Sequence, residues 1–248
     1  MVRMVRDVAA VVLAAGAGRR MQGSINKVFL LAGGKPILTR SLELFEDLDE
    51  VKQIVLVCAQ GELALARSQI VEPYELLKVR KLAVGGPTRH HSEYIGIQSL
   101  APEIESGSIT IVLVHDGVRP FVRPQLIRDL IAEARRHGAA IPAVRAGTDI
   151  VSVDANGFIQ PSDGDLWVAQ TPQAFDARLL LEAHQRAEAE GFIGTDTASV
   201  VERTGHVIRV LEGDYDNVKI TTSDDLVLAE QVATWRVHVT PEQGMHHV

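Results

Sequence analysis

Short apolar runs alternate with longer amphipathic segments along most of this chain, and few folds accommodate such a rhythm. AAVVLAA (9–15), VKQIVLVCA (51–59), RKLAVGG (80–86), SITIVLVHD (108–116) and AAIPAV (139–144) have the length and β-branched content of buried strands. Between them, PILTRSLELFEDL (36–48) carries Ile37, Leu38, Leu42 and Phe45 on one helical face. GELALARSQIV (61–71), residues 89–100 and RPQLIRDLIAEARRHG (123–138) share the helical period, and the last opens near a proline and ends at Gly138. The alternation predicts an α/β fold, one Rossmann-like domain whose mostly parallel sheet carries helices on both faces. Such sheets bind ligands beyond the carboxyl ends of their strands, so the loops after Leu13, Gly85 and His115 are the places to look.

A length of 248 residues suits one large α/β domain, and a hydrophobic content of 46% supplies its core. The net charge of -7 argues against a nucleic-acid coat but leaves room for a nucleotide ligand, which needs only local cations. The single cysteine, Cys58, falls inside an apolar run, reads as core and forms no internal disulfide. With no secretory signal and no membrane-length apolar window, a cytoplasmic location is expected.

The rhythm breaks at TDIVSVDANGFIQPSDGDLW (148–167), where Asn156-Gly157 lies between two alternating segments. That dipeptide accepts the positive φ angles of a tight hairpin turn, predicting a β-arm at about 147–166 that projects from the sheet. A lone hairpin is poorly stable, so the arm is expected to pack on a second copy of the chain and make a homodimer. Residues from about 237 to 248 read as a loose tail.

The chemistry starts at LAAGAGRRMQGSINKVFL (13–30). A dinucleotide fingerprint needs a third glycine, but Met21 stands there, and the Gly-Lys-Ser/Thr of a P-loop is missing as well. What remains is a glycine-bearing turn, Ala14 to Gly18 (Ala14, Ala15, Gly16, Ala17, Gly18), whose backbone N–H groups can face phosphate oxygens. Arg19, Arg20 and Lys27 add cations within a short reach, a charge that suits several consecutive phosphates.

The chain then carries NKVFLLAGGKPIL, VGGPTRHHS, VHDGVRPF, TPQAF, GTDTAS and GDYDNVKITTSDDL in that order. This ordered set resembles the cytidylyltransferases that act on 2-C-methyl-D-erythritol 4-phosphate in the non-mevalonate isoprenoid pathway, over about residues 8–235. The resemblance implies a single nucleotidyltransferase domain over 1–248. It implies attack by a substrate phosphate oxygen on the α-phosphorus of CTP, with diphosphate leaving. It also implies catalytic roles for Arg20, Lys27 and Lys219. A phosphate monoester is largely ionised near neutral pH, its second pKa being about 6, so no general base is required. The difficulty is electrostatic, and cations meet it.

On the nucleotide side, Gly85, Gly86 and Ser92 match the family's cytosine-recognising loop. Asp116 is expected to meet Mg²⁺ or a ribose hydroxyl. Magnesium usually binds through one or two carboxylates plus substrate phosphates, so no all-protein cage is expected. On the acceptor side, Arg119, Thr148, Thr171 and Thr195 are expected around the polyol phosphate, with Asp196 a lesser candidate for orienting a hydroxyl. His115 reads as a positioning or packing residue, and the adjacent His90 and His91 as helix surface.

Three departures from the family pattern stand out. Asn26 and Val28 flank Lys27, where the family usually has proline and glutamine. Asp163 falls where the family's arm donates an arginine across the dimer, with Arg145 a possible compensation. That departure leaves open ribitol 5-phosphate, another small linear polyol phosphate, as the acceptor. Two readings from other classes are an NAD-dependent oxidoreductase, which the missing third glycine disfavours, and a non-catalytic nucleotide-binding regulator.

Overall fold

A computed structural model describes residues 6–16, 26–147, 152–153, 158–160 and 165–239. The strands are β1 (Val8–Ala14), β2 (Leu31–Ala32), β3 (Lys35–Pro36), β4 (Val51–Cys58), β5 (Val79–Val84), β6 (Ile111–Asp116), β7 (Ala139–Arg145), β8 (Ser152–Val153), β9 (Ile159–Gln160), β10 (Trp167–Ala169), β11 (Gln173–Asp176) and β12 (Arg209–Glu212). The helices are α1 (Ile37–Glu46), α2 (Leu63–Ala66), α3 (Arg89–Gln98), α4 (Ala101–Glu105), α5 (Pro124–His137), α6 (Ala177–Ala189), α7 (Thr197–Glu202) and α8 (Ser223–Val239). The alternation read from the sequence is therefore present, and α5 stops at Gly138, as its pattern predicts.

β5, β4, β1 and β6 lie side by side and parallel. β11 runs antiparallel between β6 and β7. Ala140 pairs with both Ala174 and Arg209, and Ala143 with both Ala169 and Glu212. β10 and β11 thus follow one edge of β7, and β12 occupies the other. The antiparallel insertion arises because residues 167–176 return from the arm without a helical crossover.

All seven residues of β1 are buried because helices cover both faces of the sheet. Val8, Ala10, Val12 and Ala14 pack into one core with α1, α5 and α8, whereas Ala9, Val11 and Leu13 pack into the other with α3, α4, α6 and α7. This is the period-2 alternation of a strand buried on both sides, and it explains why no polar residue interrupts the run. A Cβ at Gly96 would lie 2.4 Å from Val11 Cγ1, so α3 can approach β1 this closely only with glycine there. That approach sets the N-terminus of α3 over the carboxyl end of β1.

One expectation is met in the described part of the arm, and another needs correction. Val153 pairs with Ile159 and Ser152 with Gln160, forming a separate two-stranded ribbon. This antiparallel pairing is the one that a β-arm across these residues requires. The turn itself lies outside the described residues. At the other end of the chain, α8 continues to Val239, past the expected start of the tail, while 240–248 lie outside the described residues. Among the described residues, no helix is long and apolar enough to cross a membrane.

Candidate active site

The registers Leu13↔Asp116, Ala14↔Cys58 and Cys58↔Val84 bring the carboxyl ends of four parallel strands to one level. A cleft of about 600 Å³ opens there, and its walls include Gly16, Lys27, Arg89, Ser92, Asp116 and Lys219. The three loops singled out from the sequence thus meet at one place.

Asp116 is the electrostatic centre. Only 6% exposed, it takes Lys219 Nζ at 2.7 Å on Oδ2, and Arg89 Nη2 and Nε at 3.0 and 3.1 Å on Oδ1. Arg119 Nε stands 3.9 Å from Oδ2. Burial disfavours the charged carboxylate, but Arg89, Lys219 and Arg119 outweigh it and hold the group well below the usual carboxylate range. Asp116 is therefore ionised, with a surplus of positive charge around it.

Behind Asp116 the backbone is held by a relay of neutral groups. Its N–H donates to Thr171 Oγ1 at 3.0 Å, and that hydroxyl lies 3.2 Å from His115 Nδ1. His115 Nε2 faces the Arg119 carbonyl at 3.0 Å, which can only accept, so the ring carries its proton on Nε2 and accepts from Thr171 at Nδ1. Burial lowers the His115 pKa to about 4, keeping the ring neutral at physiological pH. His115 is thus wholly buried, bonded to Thr171 and Arg119 and packed edge-on against Phe45.

Among the residues expected at the nucleotide, a Cβ at Gly85 would lie 2.4 Å from the Ala15 Cβ and 2.8 Å from Ser92 Oγ, so the two loops approach this closely only with glycine there. Ser92 Oγ accepts from Gly86 N at 3.1 Å and donates to the Thr88 carbonyl at 2.9 Å, shaping the loop from within. Thr88 caps α3 by accepting from His91 N. Ala14, Ala15 and Gly16 line the cleft. Ala17, Gly18, Arg19 and Arg20 lie outside the described residues. Asn26 ties the exit of that loop down: its Nδ2 donates to the Ala14 carbonyl at 3.2 Å and to Glu62 Oε2 at 2.9 Å. Hydrogen bonds replace the stiffness of the proline expected before Lys27, and Val28 is buried in the core.

Among the residues expected at the acceptor, the buried Arg119 donates from Nη1 to the Asn217 carbonyl at 2.6 Å, while its Nε has no hydrogen-bond partner. Thr171 sits at the back of the site and Thr195 is exposed beside α7. The Asp196 carboxylate caps α7 and receives Gln173 Nε2 at 3.0 Å, which gives it an internal structural task. Thr148 and Asp163 lie outside the described residues. Arg145 pairs with Asp165 and lies over the Trp167 ring at 4.8 Å, at the base of the arm.

Sequence reasoning missed Arg89, Glu93 and Asn217. Arg89 lay inside the quoted GGPTRHHS loop, but only the fold reveals that it bridges Asp116 and Glu93. Asn217 is fully buried and joins Gln170 and Thr171 to the segment that carries Lys219. His90 corrects an expectation: it is 2% exposed and stacks on His184 at 5.1 Å, because that face of α3 packs on α6.

No group of three or more His, Cys, Asp or Glu able to hold a metal ion occurs among the described residues. The donor set nevertheless fits a divalent cation held mainly by phosphates, because Asp116 offers an ionised carboxylate at the cleft wall.

The family model described as 2-C-methyl-D-erythritol 4-phosphate cytidylyltransferase matches residues 8–234. A protein of that name from Geobacillus thermodenitrificans is 45% identical over 229 residues, covering 92% of this chain and 97% of the relative. One from Geobacter metallireducens is 46% identical over 223 residues, covering 89% and 95%. Among solved structures, 4-diphosphocytidyl-2C-methyl-D-erythritol synthase from Anaerococcus prevotii superposes with a TM-score of 0.80 at 28% identity, over 93% of this chain and 98% of that one. The cytidylyltransferase of Thermus thermophilus gives 0.70 at 31% identity, over 91% and 98%.

Proposed function

The chain belongs to the 2-C-methyl-D-erythritol 4-phosphate cytidylyltransferase family, and on that premise we propose how its cleft transfers CMP from CTP to 2-C-methyl-D-erythritol 4-phosphate. A phosphate oxygen of the acceptor attacks the α-phosphorus of CTP. The new P–O bond forms as the α–β phosphoanhydride bond breaks, and diphosphate leaves with the electron pair. The acceptor phosphate is already an anion, so no proton need be removed. The observation that carries this reading is the excess of cations around one buried carboxylate at the strand ends.

Lys27 and Arg20 are assigned to the triphosphate, and Lys219 to the charge that develops at the α-phosphate. Held against Asp116, Lys219 needs little reorganisation when the reaction occurs. The Gly85–Gly86 backbone is assigned to the edge of cytosine, and Arg119 to the acceptor phosphate. Thr148, Thr171 and Thr195 complete the acceptor side in this reading. Asp116 would hold Mg²⁺, which when bound neutralises charge on the triphosphate oxygens.

We place the enzyme in the cytoplasm, where a buried thiol such as Cys58 stays reduced. A homodimer formed through the arm is supported by the exposed Phe158, Leu166, Trp167 and Val168 at and beside it.

The test is diphosphate release from CTP and Mg²⁺, with methylerythritol 4-phosphate and ribitol 5-phosphate assayed in parallel. Faster turnover of the methylerythritol ester is expected. Preference for ribitol phosphate would overturn the acceptor assignment, and silence with both would overturn the reaction.

A further inference from the structure

Arg89 and Glu93 stand four residues apart on α3 and so share a face. One edge of the Arg89 guanidinium, Nε and Nη2, binds Asp116 Oδ1, whereas Nη1 binds Glu93 Oε1. The same Glu93 oxygen accepts the hydroxyl of Thr197, the first residue of α7. Glu93 is 1% exposed and Thr197 is fully buried, so both are hidden from the cleft that Arg89 lines.

We propose that Glu93 is a positioning residue for nucleotide binding, holding the Arg89 guanidinium in the cleft wall by gripping the edge that Asp116 does not reach. Asp116 alone would leave Nη1 unanchored, and a divalent cation competing for Asp116 would release the whole side chain. The second carboxylate keeps Arg89 in place through that competition. Thr197 orients Glu93 in turn, so the helix next to Thr195 is tied to the nucleotide wall through hydrogen bonds to one oxygen. A charge-assisted bond of this kind is weakened to an ordinary neutral one when the carboxylate becomes an amide, whose oxygen still accepts.

The inference rests on the cytidylyltransferase reading, so the experiment has two readouts. CTP affinity is measured by calorimetry and steady-state kinetics is measured alongside, both at about pH 8, where Glu93 is ionised. Glu93→Gln is expected to raise the Kd and KM for CTP about tenfold, with the acceptor KM within about twofold of wild type. Glu93→Gln combined with Thr197→Asp returns a carboxylate to the same edge of Arg89 and is expected to recover most of the loss. Wild-type CTP affinity in Glu93→Gln would overturn the proposal, as would a loss that the second substitution leaves untouched. Should Glu93→Gln fail to fold, Thr197→Val removes only the hydroxyl that orients Glu93; it is then expected to weaken CTP binding about threefold, and unchanged affinity would overturn the proposal. An inactive wild type would refute the reaction, and the calorimetric comparison would still decide the role of Glu93.

Discussion

Lys219 Nζ sits 2.7 Å from Asp116 Oδ2, a pair whose anionic member is almost wholly buried while the cation remains 41% exposed at the cleft. The asymmetry matters. Asp116 is fixed by folding and anchors Arg89 as well, whereas the ammonium group stands where an incoming phosphate competes for it. A lysine suits this use because its charge is compact and its stem flexible.

Lys219→Ala and Lys27→Ala are therefore expected to lower kcat by about 10²–10³, the usual effect of removing one preorganised electrostatic contact from a reacting centre. Neither side chain supplies core packing, so the melting temperature should stay within about 4 °C of wild type. Steady-state kinetics and calorimetry on the same preparations check both halves. Near-wild-type turnover in either variant would refute its assigned role.

Asp116→Asn should behave differently, because it removes the counter-charge that three cations share. Breaking such a buried arrangement costs about 3–5 kcal/mol at neutral pH. The folded pKa of Asp116 lies below its unfolded value of about 3.9, so its stabilisation is complete above that value and fades as pH falls through the folded one. The stability gap between wild type and Asp116→Asn should thus be constant above about pH 5 and narrow below about pH 4. Urea titrations across that range measure it. A gap that widens in acid would show that Asp116 is not the ionised partner.

Much of this site was legible in the sequence, for physical reasons that differ by residue. The strands announced themselves because β1 and β6, buried on both faces, tolerate no polar residue before their ends. Gly85 and Lys219 were found because they lie in ordered motifs. Arg89 and Glu93 were not, since a charged residue in a helix reads as solvated surface until the fold shows which face packs. His90 misled in the same way: its burial against His184 is set by a helix nearly a hundred residues further along the chain.

Gly85→Ala tests the nucleotide wall directly. The added methyl would stand 2.4 Å from the Ala15 Cβ and 2.8 Å from Ser92 Oγ, and the first of these neighbours cannot rotate away. The loops must separate, at about 1–3 kcal/mol in stability, as for other overpacked sites. Their separation should also raise the KM for CTP more than the KM for the acceptor, whose expected partners lie across the cleft. Kinetics with each substrate varied in turn decide this, and equal effects on both would place the cytosine contact elsewhere.

Glu93 should leave its own mark on the pH dependence of folding. Burial pushes its carboxyl up to about 7; Arg89 and Thr197 pull it back, and Asp116 and Asp196 add to the push. An unfolded glutamate titrates near about 4.3. Between these values the folded chain keeps a proton that the unfolded chain has lost, so the contribution of Glu93 to stability falls as pH rises from about 4.3 to 7 and levels off above. An amide in place of this carboxyl has no such proton to lose. Glu93→Gln should therefore show a flatter stability profile than wild type across that window, with parallel profiles above it. Urea titrations at about one-unit pH intervals read the difference, and identical slopes in the two proteins would mean that Glu93 titrates like an exposed carboxylate despite its burial.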